Sequence, residues 1–174
     1  MSGHSKWSTI KHQKAIEDNK RGVVFTKIAK KIHIAVKNGG SGDVVGNPYL
    51  RACVDEARSV NMPMENIKRA IDKGLGGGGE NTVEEIVYEA YSHDGVGIMI
   101  TTVTENRNRT ASEINSVLSK HEAKLGGPGS VLYMKTILPV PTISLDGAPR
   151  EKVDELLEAL ADLDDVVDIW SNLL

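Results

Sequence analysis

The chain has 174 residues, 40% of them hydrophobic, with 21 Lys and Arg against 24 Asp and Glu and a single cysteine. That length suits one large domain or two small ones, and the apolar fraction suffices for a packed core in either case. One cysteine excludes an internal disulfide, and no apolar run approaches the roughly 20 residues of a membrane span or the apolar stretch of a signal peptide.

The near-neutral balance hides a polar division. Residues 1–75 carry 14 Lys and Arg against 7 Asp and Glu, whereas the remainder carries 7 against 17. A basic first part draws phosphate; an acidic second part is repelled by it and faces protein or solvent. Cys53 shares helical spacing with Leu50, Val54 and Ala57, which makes it a small core residue. Its solitude fits a reducing compartment, and the cytoplasm is the expected location, with no membrane partner.

Ser2 to Lys20 contains Lys6, Lys11, Lys14 and Lys20, His4 and His12, an isolated Trp7 and too few apolar residues to bury a face. Such an arm is expected to order on docking. Lysines supply phosphate contacts and Trp a flat surface for a base, so the arm points to nucleic acid.

Lys20 to Lys37 follows as a helix. At about 100° per residue, Phe25, Ile28, Ala29, Ile32, Ala35 and Val36 form one arc and Lys20, Lys27, Lys30, Lys31 and Lys37 the opposite one. One arc is expected to pack and the other to meet anions, with Lys27, Lys30 and Lys31 as the affinity surface.

Asn38-Gly39-Gly40 stops this helix, and Asn47-Pro48 reads as the cap and first position of a second, running to about Val60. Asn61 is a plausible left-handed terminator, and Pro63 opens a third helix with Met64, Ile67, Ala70 and Ile71 inward. Residues 1–75 thus form a basic arm and three-helix bundle that binds nucleic acid. The glycine-rich residues 76–81 lack the Gly-Lys-Ser/Thr ending and preceding strand of a phosphate loop, so they read as a hinge.

In residues 82–174 the period changes. Glu84 to Tyr91 and Val96 to Thr104 read as strands around the turn His93-Asp94-Gly95, and a helix capped near Thr110 carries Ile114, Val117, Leu118 and His121 on one face. Ser130 to Lys135 and Pro139 to Leu145 read as short strands, Arg150 to Leu163 as a helix and Val166 to Leu173 as a final strand. With the first strand set aside, the order is βαββαβ, a ferredoxin-like sandwich, and the whole chain is α+β.

The five histidines lack metal-binding spacing, and no carboxylate pair or nucleophile motif stands out, so neither metal, cofactor nor enzymatic activity is expected. Arg107 and Arg109, in Asn106-Arg107-Asn108-Arg109-Thr110, sit at a helix start. They read either as phosphate ligands or as exposed arginines on a capped turn. The strands lack the aromatics on which RNA-recognition sheets stack bases.

The motifs Gly3-His4-Ser5-Lys6-Trp7, Ile10-Lys11-His12, Phe25-Thr26-Lys27, Asn47-Pro48, Asn61-Met62-Pro63, Asn66-Ile67, Ala70-Ile71 and Asn106 to Thr110 together resemble the YebC/PmpR family. That family also includes the mitochondrial translational activator of cytochrome c oxidase. The likeness is dense over residues 2 to 135 and looser beyond. It implies an N-terminal helical domain followed by α/β domains, and a non-enzymatic regulator of gene expression. Members are described both as DNA-binding transcriptional regulators and as translation factors at the ribosome. Lys6, Trp7, Lys11, His12, Lys14, Lys27 and Lys31 map onto the family's basic nucleic-acid-binding region. Members usually carry another α/β domain after the Gly129-Ser130-Val131 segment, and here the chain runs straight on.

Three functions are in view. An arm with one Trp suits irregular RNA, and a lysine face without Asn or Gln positions a partner without reading bases. An RNA- or ribosome-binding translation factor is therefore the leading expectation. Its nucleic-acid ligands would be the arm residues with Lys20, Arg21, Lys27, Lys30, Lys31, Arg107 and Arg109. A duplex-DNA-binding transcriptional regulator is the first alternative. An adaptor that binds protein through its acidic domain is the second.

Overall fold

The computed structural model describes residues 18–76 and 83–174. The chain divides into two compact units, with the boundary between Glu85 and Ile86. Most of the expected hinge at 76–81 lies outside the described residues.

Among the described residues, the first unit is built on three helices. Helix α1 spans Asp18–Gly39, α2 Pro48–Ser59 and α3 Met64–Gly74. Their ends follow local chemistry. Gly40 takes φ +63 after α1, and the Asn47 side chain accepts the Leu50 N–H at 3.0 Å to cap α2, with Pro48 in its first turn. Asn61 turns the chain at φ 57, the left-handed terminator expected there. Asn47 also donates to the Ala35 carbonyl at 2.8 Å, so one side chain both starts α2 and ties it to α1.

Ile28, Ile32, Ala35 and Val36 of α1 share one core with Leu50, Cys53, Val54 and Ala57 of α2 and Ile67 and Ala70 of α3. Burial pushes the Cys53 thiol up to about 11, so it is a packing residue and not a nucleophile. Met64, expected inward, is instead exposed; Met62 in the preceding turn is buried in its place.

The second unit contains β1 (Glu84–Tyr91, straddling the boundary), β2 (Gly97–Thr104), α4 (Arg107–Lys120), β3 (Lys124–Leu125), α5 (Leu132–Thr136), α6 (Ala148–Ala161) and β4 (Val166–Ser171). The sheet order is β3-β1-β2-β4. Pairing of β4 with β2 is antiparallel, from Ile98 opposite Ser171 to Thr102 opposite Val166. The β1–β2 turn closes at Gly95 with φ +80, and Ser92 N–H donates to Val96 O at 3.0 Å.

Ile114 and Leu118 of α4 and Val153, Leu156, Leu157 and Leu160 of α6 bury the sheet face bearing Ala90, Ile98, Ile100 and Val166. Two helices therefore cover one face, the layering expected of an α+β sandwich. The opposite face holds a smaller cluster of Met99, Val131 and Met134 with Tyr91 and Trp170 against it.

The strand inventory differs from βαββαβ. Strand β1, set aside in that reading, lies inside the sheet between β3 and β2. Ser130 to Lys135 forms a turn and α5. The cause is Glu89, whose carboxylate accepts the N–H groups of Gly129, Val131 and Leu132 and so takes the donors a strand would use. Pro139 to Leu145 contributes only an isolated bridge between Ile143 and Leu173. Pro139 and Pro141 have no N–H to give a ladder.

Candidate nucleic-acid interface

Lys6, Trp7, Lys11, His12 and Lys14 lie outside the described residues, and Lys20 is described only as part of the α1 backbone. The described part of the expected surface begins at Arg21, which is exposed.

The two opposed arcs of α1 need correction. Lys27 is 6% exposed, and Ile34, which falls within the lysine arc, is 1% exposed. Lys31 Nζ lies 2.8 Å from Glu56 Oε2 of α2. A buried lysine and a lysine bridged to a neighbouring helix serve the bundle. A Lys31→Glu change would set two carboxylates together and report on folding rather than binding. The reason is packing: this arc is not a free face, because the helix is covered on more than its apolar stripe.

The open edge of α1 is a neighbouring stripe of Thr26, Lys30, His33 and Lys37, spaced by four, three and four residues. Thr26 and Lys37 are exposed and Lys30 and His33 half-buried. Thr26 Oγ1 donates to Gly22 O at 2.9 Å, and Lys37 Nζ donates to Val83 O at 2.6 Å. A carbonyl partner leaves the Lys37 charge unneutralised. No carboxylate belongs to this stripe.

Arg107 and Arg109 belong to the second unit. Asn106 caps α4 by accepting the Arg109 N–H at 3.1 Å. Arg109 Nη2 lies 2.7 Å from Oδ2 of the buried Asp165, which also accepts from Thr110 Oγ1 at 2.7 Å; Thr110 and Thr104 hydroxyls are 2.9 Å apart. The hydrogen bond and charge of Asp165 hold the Arg109 guanidinium more firmly protonated than usual. Arg109 thus ties the start of α4 to the segment entering β4. Phosphate would have to compete with Asp165 for it. Arg107, two residues earlier, is exposed.

Among the described residues there is no group of three or more His, Cys, Asp or Glu arranged for a metal. Nor is any helix among them long and apolar enough to cross a membrane.

Fold and surface define an α+β protein with a helical unit bearing a cationic edge. Comparison with known families narrows this. The model described as the TACO1/YebC protein N-terminal domain matches residues 5–77, and that described as the TACO1/YebC second and third domain matches residues 83–134. The chain belongs to the TACO1/YebC family.

A "Probable transcriptional regulatory protein" of Syntrophomonas wolfei is 47% identical over 160 residues, covering 92% of this chain and 64% of that protein. A protein of Borrelia hermsii with the same description is 50% identical over 173 residues, covering 99% and 69%. The chain therefore spans about two thirds of the length of the curated relatives it matches. A crystal structure of a conserved hypothetical protein from Aquifex aeolicus superposes with a TM-score of 0.77 at 29% identity, covering 90% of this chain and 91% of that one.

Proposed function

We propose that the chain is a non-enzymatic regulator of gene expression that binds RNA, at the ribosome, through its helical unit and the basic segment before it. The observation that carries this reading is the stripe of α1 where Lys30, His33 and Lys37 line up beside Thr26 with no acid among the four, and where Lys37 is exposed with a carbonyl rather than a carboxylate as its partner. Such an edge suits a phosphate backbone. The description of relatives as probable regulatory proteins supports the wider class.

RNA is favoured over duplex DNA because lysines position a partner without specifying sequence. Trp7 adds a stacking surface that single-stranded bases can use. Duplex-DNA binding remains the second reading, because the relatives' descriptions say transcriptional. Cosedimentation with ribosomes through a sucrose cushion, set beside gel-shift titration of duplex DNA at equal salt, separates the two. Pelleting with ribosomes that is lost at high salt is expected. Duplex binding without pelleting would move the assignment to transcription.

A further inference from the structure

The helices of the first unit run up, down and up. Lys31 meets Glu56, and Asn47 meets Ala35, so α1 and α2 are antiparallel. The Met62 N–H donates to Ala57 O at 2.9 Å beside Glu56, the partner of Lys31, so α3 begins near the middle of α1; Gly42, just past the end of α1, lies against Ile71 and Leu75 at the end of α3. At that end, Gly74 sits against α1: a Cβ there would lie 2.7 Å from Val36 Cβ and 2.9 Å from His33 O. Helices α1 and α3 are therefore parallel neighbours in close approach.

Parallel helices turn in the same sense, so the adjoining edges can be read from the residue order. The α3 edge that continues the open edge of α1 carries Asn66, Arg69 and Lys73. Arg69 and Lys73 are exposed and Asn66 half-buried. Arg69 has one acidic neighbour, Glu65, at 3.8 Å; their side chains are 69% and 85% exposed, so the pair is weak and exchangeable. Glu65 and Asp72 lie further round α3, and Lys68 lies beyond them on the far flank.

We propose that Asn66, Arg69 and Lys73 form the second rail of a phosphodiester-binding track whose first rail is the open edge of α1. Two parallel helices with axes about 8–10 Å apart hold a single phosphate backbone between their rims. Gly74 permits that closeness. The ligand class is the backbone of a single strand, held without base selection, and the proposal rests on the nucleic-acid reading above.

The test uses the full chain and a fluorescein-labelled single-stranded RNA, with anisotropy measured over a salt series. The double variant Arg69→Gln/Lys73→Gln is expected to flatten the slope of log affinity against log salt by about 1.4, from about 0.7 per contact. At about 0.1 M salt this is a loss of roughly 25-fold. Lys68→Gln, on the far flank, is expected to change neither, and an unchanged melting temperature shows the fold intact. An unaltered slope in the double variant, with Lys30→Gln/Lys37→Gln losing binding, would overturn the second rail and leave the function standing. Equal losses from Lys68→Gln would reduce the effect to bulk charge and also overturn the rail. If the unaltered protein shows no salt-dependent binding, the functional reading itself fails.

Discussion

Replacing Glu89 with alanine is expected to destabilise the sheet unit by about 2–4 kcal/mol, because the buried Val131 N–H left without its acceptor costs about 1–3 kcal/mol and the part-buried Gly129 and Leu132 donors add less. Glu89 is a 9% exposed carboxylate on the sheet face opposite α4 and α6. It receives the N–H groups of Gly129 at 2.6 Å, of Leu132 at 2.8 Å and of Val131. Beside it the Tyr91 hydroxyl donates to Ser130 O. Together they lay the 129–136 segment over Met99 and Trp170.

Burial of Glu89 opposes its charge, but the three N–H donors outweigh it and hold the carboxyl below its ordinary 4.5. A depressed folded-state pKa adds stability that is present above 4.5 and is lost as pH falls through the lower folded value. The gap between wild type and Glu89→Gln in urea unfolding should therefore be full at neutral pH and close in acid. A gap independent of pH would contradict the role given to the charge.

Gly74→Val is expected to cost the helical unit more than about 2 kcal/mol. Loss of a glycine in a helix ordinarily stabilises by up to about 1 kcal/mol, but overpacking a tight contact costs about 1–3 kcal/mol, and valine adds two methyls beyond the first clash. The atoms met are Val36 Cβ and the His33 carbonyl, neither of which can swing aside. Circular dichroism melts should show the loss. Gly22→Val, with nothing within 4 Å of its added Cβ, is the control expected to change little. Equal melting of the Gly74 variant and wild type would mean that α1 and α3 are not in the close contact described.

What the amino-acid sequence revealed were features decided locally. Asn47-Pro48, Asn61 and Gly95 each act within a few residues, and the ends of α2, the turn before α3 and the β1–β2 turn fall where those residues place them. The α+β class and the existence of the last strand follow from hydrophobic period; its pairing with β2 is seen only in the structure. Features decided by distant partners were not legible. Ser130 to Lys135 has strand-like composition, yet its Val131 and Leu132 N–H groups go to Glu89, some forty residues away. Arg109 resembles a phosphate ligand until Asp165 arrives from the far side of α6.

The lysines of α1 show the limit of a helical wheel. Periodicity gives the faces of an isolated helix, not the number of neighbours that cover it. One signal was present: Ile34 falls within the lysine arc, and an isoleucine there marks a covered face. Thr26, Lys30, His33 and Lys37 share the next stripe round, and the absence of a large apolar residue among them is the sign of the open edge.

The most direct test of the nucleic-acid assignment is the salt dependence of binding, measured by anisotropy with one single-stranded RNA and one DNA duplex under the same buffers. With about four or five phosphates contacted, log affinity for RNA should fall against log salt with a slope of about −3 to −4, at about 0.7 per contact. Binding to the duplex should be weaker at every salt concentration. Tight, sequence-selective binding to the duplex with no salt-dependent affinity for RNA would contradict the assignment.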